Sequence, residues 1–412
     1  VDAAGKDGLI YDWNLAGPPT ARPSCPVQFD DETLRDGLQS PSVTDPEIPA
    51  KIELLHLMDA LGIHTADIGL PGAGPRAKAH VEALAREIVS SKLKIRANCA
   101  ARTLMADIDP IADVSQKAGI GIEACLFIGS SPIRQYAEDW TVERMLEHTT
   151  TAIRHAVKLG LKVMYVTEDT TRAHPDTLKR LYTAAIREGA SRICLCDTVG
   201  HATPQGVSAL IGWAKGLVAE LKAGSEEVGI DWHGHRDRGL DLPNTIAAIS
   251  AGASRVHGAA IGIGERAGNT PMELILVNLK LLGWLDQDLT RLPEYCQAAS
   301  RACGVPIPSN YPVVGSDAFE TGTGVHAAAV IKALRKGDTW LADRVYSGVP
   351  AGEFGLSQKV RVGPMSGKSN VLFWLERNGF DTAPERVERV FQAAKASSRL
   401  LTEEELRSLA TG

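Results

Sequence analysis

The sequence predicts a closed (β/α)8 barrel of the TIM type, followed by small, mostly helical C-terminal subdomains. Three observations point there. Short apolar runs alternate with amphipathic helical stretches in about eight units over roughly 260 residues, more strands than an open doubly wound sheet usually carries. The runs are free of internal proline, as buried parallel strands must be. Each is also followed closely by a polar or charged residue, and the C-terminal strand ends are where this fold collects its reactive groups.

Residues 1–26 read as an irregular N-terminal arm, because Gly17-Pro18-Pro19, Pro23 and Pro26 interrupt any regular element. The barrel is expected over residues 27–290. Its strands are placed at Val27–Asp30, Thr65–Ile68, Lys94–Ala97, Ile122–Phe127, Lys162–Val166, Arg192–Cys196, Gly229–His233 and Arg255–Ala259. The clearest helix spans Pro204–Ala223, with apolar residues at 207, 210, 211, 214, 217, 218 and 221 on one stripe. Thr203 is its expected N-cap, Pro204 opens the first turn, and Gly224 follows its end. Similar stripes run through Ala77, Val81, Leu84 and Ile88, and through Met145, Leu146, Ala152, Ile153, Ala156 and Val157 before Gly160.

Residues 291–412 lose this alternation and are expected to form a linker and helical lid subdomains. Helices are placed near Pro384–Ser397 and after Thr402, whose spacing to Glu405 is that of a capping box. The run Gly363-Pro364-Met365-Ser366-Gly367-Lys368-Ser369 looks like a phosphate-binding loop. It is one residue short between its glycines, and no strand in a parallel sheet is expected to enter it, so nucleotide binding is not expected.

Composition narrows the class of function. The chain has 412 residues, 44% hydrophobic and 23% charged, enough for one barrel-sized domain and a smaller appendage. A net charge of −6 with no Lys/Arg block removes the electrostatic footprint of a nucleic-acid or anionic-membrane binder. No apolar run approaches the ~20 residues of a membrane span, and Val1–Leu9 lacks the layout of a signal peptide, so a cytoplasmic location is expected. The seven cysteines (25, 99, 125, 194, 196, 296, 303) sit mostly in apolar segments and read as reduced, buried thiols.

The expected strand ends assemble a candidate site. His233 and His235, two residues apart at the end of the seventh strand, share one face and can reach one ion. Closure sets the eighth strand beside the first, which brings Asp36 and Asn269 to the same corner of the rim. Together they make a plausible shell for one divalent ion, with positions left for substrate. The bland readings are an ion pair for Asp36 and a helix cap for Asn269. Arg35 lies beside Asp36, Asp67 ends the second strand, Arg102 follows the third and Arg134 the fourth, and Glu168 and Thr198 follow the fifth and sixth.

These residues carry a family resemblance. The chain resembles the metal-dependent Claisen-condensing acyltransferases that include 2-isopropylmalate, homocitrate, citramalate and Re-type citrate synthases. The match runs from about residue 27 to about 370, through Glu32-Thr33-Leu34-Arg35-Asp36-Gly37-Leu38-Gln39, Thr167-Glu168-Asp169, Asp197-Thr198-Val199-Gly200, His233-Gly234-His235 and Gly264-Glu265-Arg266-Ala267-Gly268-Asn269-Thr270. The resemblance implies an enzyme in which a 2-oxo acid chelates one divalent ion (Mg, Mn or Zn), acetyl-CoA is enolised and attacks the keto carbon, and water releases CoA. It implies metal ligation by Asp36, His233, His235 and Asn269, and substrate binding by Thr198, Arg134, Gln39, Asp67 and Arg102. Arg35, Glu168, His326 in Gly322-Thr323-Gly324-Val325-His326, and Tyr346 are the implied catalytic residues. A packing role remains open for Tyr346. A homodimer is implied, in which the region after residue 290 covers the partner's barrel.

The acceptor is less constrained. Val166, Cys194, Leu38 and Leu70 suggest an apolar pocket for a branched or aryl 2-oxo acid, as in 2-isopropylmalate synthesis. Arg134 suggests a distal carboxylate, as in homocitrate or Re-type citrate synthesis. Two rivals remain: a hydroxymethylglutaryl-CoA lyase, although the loop from Gly262 to Gly268 lacks that family's cysteine, and a non-catalytic ligand-binding barrel.

Overall fold

The computed structural model describes residues 6, 8–16, 22–23, 26–221 and 228–412. The Gly17-Pro18-Pro19 stretch, Cys25, Ala223 and Gly224 lie outside the described residues. The chain divides into two compact units: one runs to Asp286 and includes Arg301–Val305, and the other holds Gln287–Ser300 and Pro306–Gly412.

The first unit is a closed parallel barrel in which eight strands pair in sequence order. They are β1 (Gln28–Asp31), β2 (Thr65–Asp67), β3 (Arg96–Arg102), β4 (Glu123–Gly129), β5 (Lys162–Glu168), β6 (Arg192–Asp197), β7 (Gly229–Gly234) and β8 (Arg255–Gly258). β1 closes the ring on β8, with Phe29 opposite Val256 and Asp31 opposite Gly258. The helices between and after the strands are α1 (Ile48–Ala60), α2 (Pro75–Ser90), α3 (Met105–Ala118), α4 (Pro132–Glu138), α5 (Val142–Lys158), α6 (Pro175–Arg187), α7 (Pro204–Leu221), α8 (Asp241–Ala251) and α9 (Met272–Leu281). The expected fold class is borne out.

Local chemistry explains the elements. α5 starts where Thr141 Oγ1 accepts the Arg144 N–H, and it buries Met145, Ala152, Ile153 and Ala156, each large apolar member being worth ~1.5–3 kcal/mol. Val157, expected on that stripe, is 42% exposed, and Thr149 takes the buried position because its hydroxyl meets the Tyr165 hydroxyl at 2.8 Å. Thr203 Oγ1 accepts the Gly206 N–H at the start of α7. The largest shift in boundary is at β3, which continues five residues past the expected end, to Arg102. Asn98-Cys99-Ala100-Ala101 lacks β-branched residues and so does not read as strand. Closure nevertheless buries it, and there the Asn98 NH2 donates to both oxygens of the Asp30 carboxylate at 2.8 and 2.9 Å, while its Oδ1 has no partner.

The lower layer of the barrel is charged. Arg255, at the start of β8, donates Nε to Asp231 at 2.5 Å and Nη2 to Glu123 at 2.6 Å, and Arg192 Nε reaches Asp231 at 2.7 Å.

After α10 (Leu292–Cys303), the second unit holds α11 (Gly324–Arg335), α12 (Thr339–Arg344), α13 (Lys368–Arg377), α14 (Pro384–Ala396) and α15 (Glu403–Thr411). Val371, Trp374, Leu375, Val390 and Leu406 form the core of its C-terminal helices, and the Thr402–Glu405 capping box is present. A two-residue strand, β9 (Glu320–Thr321), pairs in parallel with β10 (Lys359–Val360), so a parallel strand does precede the Gly363–Ser369 loop, contrary to expectation. The loop is nonetheless filled from within. Ser366 Oγ accepts the Gly363 N–H, Asn370 Oδ1 accepts the Gly367 N–H, and Lys368 Nζ lies 2.7 Å from Glu388 rather than over the loop.

Candidate active site

The rim begins with a tight turn after β1, where the N–H groups of Arg35 and Gly37 both donate to the Glu32 carbonyl. The turn points Asp36 inward. Across the closure, His235 and Asn269 form an isolated antiparallel bridge that draws the loop after β8 against the end of β7. That approach requires glycine: at Gly264 (φ +151°) a Cβ would stand 2.3 Å from Asn269 Nδ2, and at Gly268 (φ +104°) one would stand 1.9 Å from the Gly262 carbonyl.

Asp36, His233 and His235 thereby converge. The two Nε2 atoms lie 3.2 Å apart, and Asp36 Oδ2 is 3.6 Å from each. Such spacing is what donors about 2.0–2.2 Å from a common centre produce. Asn269 Nδ2 donates to Asp36 Oδ1 and to the Ile263 carbonyl, while its buried Oδ1 has no hydrogen-bond partner. An orphaned amide oxygen beside two imidazole nitrogens and a carboxylate fits a divalent ion. Burial lowers the His233 pKa and so favours the neutral, ligating imidazole. Burial opposes the Asp36 charge, but Arg35 and the two imidazoles outweigh it and hold the carboxyl well below its ordinary range.

Arg35 is gripped by three carboxylates. Its Nε donates to Asp67 at 3.0 Å, Nη1 to Asp36 at 3.2 Å and Nη2 to Glu32 at 2.5 Å. Asp67 is therefore placed against the arginine. Burial raises its pKa well above the ordinary carboxylate value, with Glu32 and Asp30 adding to the effect.

These groups line a cavity of 330 Å³ whose apolar wall includes Leu70, Cys125, Phe127, Met164, Val166 and Cys194. Leu38, expected in that wall, instead borders an adjoining groove with Leu34, Ala73 and His80, which meets the cavity at Arg35, Gln39 and Leu70. All six described cysteines are buried.

Glu168 ends β5 at the cavity wall, half-buried. Burial raises its pKa, opposed by Arg134 and Arg35. Its ionic partner is Arg134, with Nη2 at 3.7 Å, since Arg172 pairs with Asp169 and Arg102 is bidentate on Asp107 at 2.7 and 2.9 Å. The cavity wall therefore does not include Arg102, a consequence of β3 running on to that residue. Thr198 Oγ1 accepts the Asp169 N–H at 2.8 Å, and Gln39 stands exposed at the mouth. In the second unit, His326 and Tyr346 are both exposed and stack on each other, centroids 4.2 Å apart.

Sequence reasoning missed Glu32, His257 and Asp231. His257 is buried between carboxylates, with Nδ1 2.9 Å from Glu32 and Nε2 3.0 Å from Asp231. Burial disfavours its charge, yet Cys194 and Asp30, with the hydrogen bonds to Asp231 and Glu32, raise its pKa well above the usual histidine value. The available signal was the acidic run Asp30-Asp31-Glu32 within and just after an apolar strand, which burial permits only with partners.

A family model described as HMGL-like matches residues 26–298. The chain belongs to the HMGL-like family. Among its relatives, homocitrate synthase AksA of Methanopyrus kandleri is 31% identical over 370 residues, 89% of this chain and 86% of that one. A 2-isopropylmalate synthase of Nitratidesulfovibrio vulgaris is 30% identical over 375 residues, 90% of this chain and 70% of that one. The crystal structure of the Bacillus subtilis HMG-CoA lyase aligns with a TM-score of 0.57 at 22% identity, over 69% of this chain and 96% of that one, a likeness of fold. Among the described residues, no helix of this HMGL-like chain is long and apolar enough to cross a membrane.

Proposed function

We propose that this chain is an acyltransferase that condenses acetyl-CoA with a 2-oxo acid bearing a branched or aryl group, forming an alkylmalate-type product and free CoA. The observation that carries the reading is the convergence of Asp36, His233 and His235 beside Arg35, at a cavity that these groups line together with one apolar wall. The synthase names of the relatives support the same reaction class.

A divalent ion (Mg, Mn or Zn), when bound by Asp36, His233, His235 and Asn269, supplies a Lewis acid for the keto acid. Arg35 stabilises the keto oxygen as it becomes negative, and its three carboxylate contacts hold the guanidinium in place without reorganisation. Glu168, whose raised pKa brings it closer to neutrality, takes part in moving the proton from the acetyl methyl. Thr198 and Gln39 contact the substrate at the mouth. The new bond joins the acetyl methyl carbon to the keto carbon, and water cleaves the thioester. His326 and Tyr346 enter this reading through the sequence resemblance alone, as further groups in the proton chemistry, as does the homodimer.

One observation favours a second acceptor class: Arg134, exposed beside Glu168, supplies a cation for a distal carboxylate, as in homocitrate or Re-type citrate synthesis. Thiol release from acetyl-CoA across a panel of 2-oxo acids tests both. Turnover with branched or aryl acids is expected. Turnover confined to dicarboxylic acids transfers the assignment to the second class, and no condensation with any 2-oxo acid overturns the proposal.

A further inference from the structure

We propose that Glu32 is a positioning residue that couples the His233 imidazole to the Arg35 guanidinium, with His257 and Asp231 holding it from below. The inference rests on reading Asp36, His233 and His235 as ion ligands, and it adds a residue whose work is to aim them.

Glu32 is buried in the turn between β1 and Arg35, and its two oxygens face opposite tasks. Oε2 accepts Arg35 Nη2 at 2.5 Å. Oε1 accepts His257 Nδ1 at 2.9 Å and lies 3.6 Å from His233 Nδ1, the ring nitrogen turned away from the ion position. A ligating imidazole commonly gives its second N–H to a carboxylate, which sets the tautomer and the ring angle. Here the same carboxylate also anchors the arginine. Beneath it, His257 Nε2 meets Asp231 at 3.0 Å, and Asp231 is held by Arg192 and Arg255. A continuous column thus runs from the lower layer to the rim.

Glu32, His233 and His257 also have the spacing of a second cation cluster. The geometry assigns that place to His257 itself. Both of its nitrogens face carboxylates within hydrogen-bond distance, which leaves neither free to ligate an ion.

Glu32→Gln tests the coupling, because an amide cannot accept from Arg35 and His257 at once without turning its NH2 toward one donor. Metal-free protein is titrated with Mn²⁺ or Zn²⁺ against a competing chelator, and steady-state kinetics follow at saturating metal. Metal affinity is expected to fall about 10–100-fold, and kcat to fall by more than the acceptor KM rises. Glu123→Gln, which removes a partly buried acid at the other end of the column, is expected to lower the melting temperature with unchanged metal affinity. A wild-type protein that binds neither ion defeats the ligand reading. Tight wild-type binding that Glu32→Gln leaves within about twofold, with kcat unchanged, overturns the positioning role alone. If Glu32→Gln does not fold, Glu32→Asp, which keeps the charge one methylene short, is read in the same titration, and wild-type values there overturn the proposal as well.

Discussion

The lower layer of the barrel and its upper rim are both rich in buried charge, but the charges are arranged differently. Below, each is matched: Asp231 is held by Arg192 and Arg255, and Arg255 reaches Glu123. At the rim, the Nε2 atoms of His233 and His235 face each other at 3.2 Å, and Asn269 Oδ1 and His235 Nδ1 have no partner. An unmatched buried polar atom costs ~1–3 kcal/mol, and at this corner Asn269 Oδ1 stands beside converging imidazole nitrogens where a ligand would offset that cost. Matched charge is scaffold, and convergent unmatched donors are a site.

The comparison breaks most decisively at the rim. His235→Ala should lose the divalent ion and with it nearly all turnover, read by metal analysis of the purified protein. Tight metal loading at the wild-type level would remove the distinction between the layers. Next in size, Glu168→Gln should lower kcat ~10²–10⁴-fold while metal binding and the melting temperature hold, since its partner Arg134 is exposed and not part of the scaffold. Near-normal turnover at normal stability would rule out its part in proton transfer.

The lower layer should answer in stability. Glu123→Gln is expected to cost ~1–3 kcal/mol in thermal unfolding, with kcat intact. Its neighbour Asp231 carries the pH dependence. Burial disfavours its charge, but Arg255 and Arg192 hold its carboxyl well below the ordinary range. A depressed folded pKa contributes stability that is present above the unfolded value near ~3.9 and is lost as pH falls through the folded value. Melting temperature should therefore depend less steeply on pH below about 4 in Asp231→Asn than in the wild type. The smallest effect belongs outside both layers: Leu38→Ala, bordering a different groove, should leave the acceptor KM within about twofold, whereas Val166→Ala should change it.

Much of this was legible in the chain. Short proline-free apolar runs and capped helices are local signals, and they located the eight strands and the rim positions of Asp36, His233, His235 and Asn269. The limits of local signals show at particular residues. β3 continued through Asn98-Cys99-Ala100-Ala101 because burial inside the ring, with Asp30 as partner, overrode weak strand propensity. That extension set Arg102 on Asp107.

The sequence by itself thus determined the architecture and which side chains stand at the strand ends, because both follow from spacing along the backbone. Tertiary structure alone decided who meets whom. Glu32 and His257 are separated by 225 positions and Asn269 and Asp36 by 233, and closure of β8 on β1 brings each pair within hydrogen-bond distance. It also turned Leu38 away from the cavity and gave Glu168 to Arg134. Contacts between strands distant in the chain depend on barrel closure and on competition among buried charges for partners, and neither leaves a periodic trace in the order of residues.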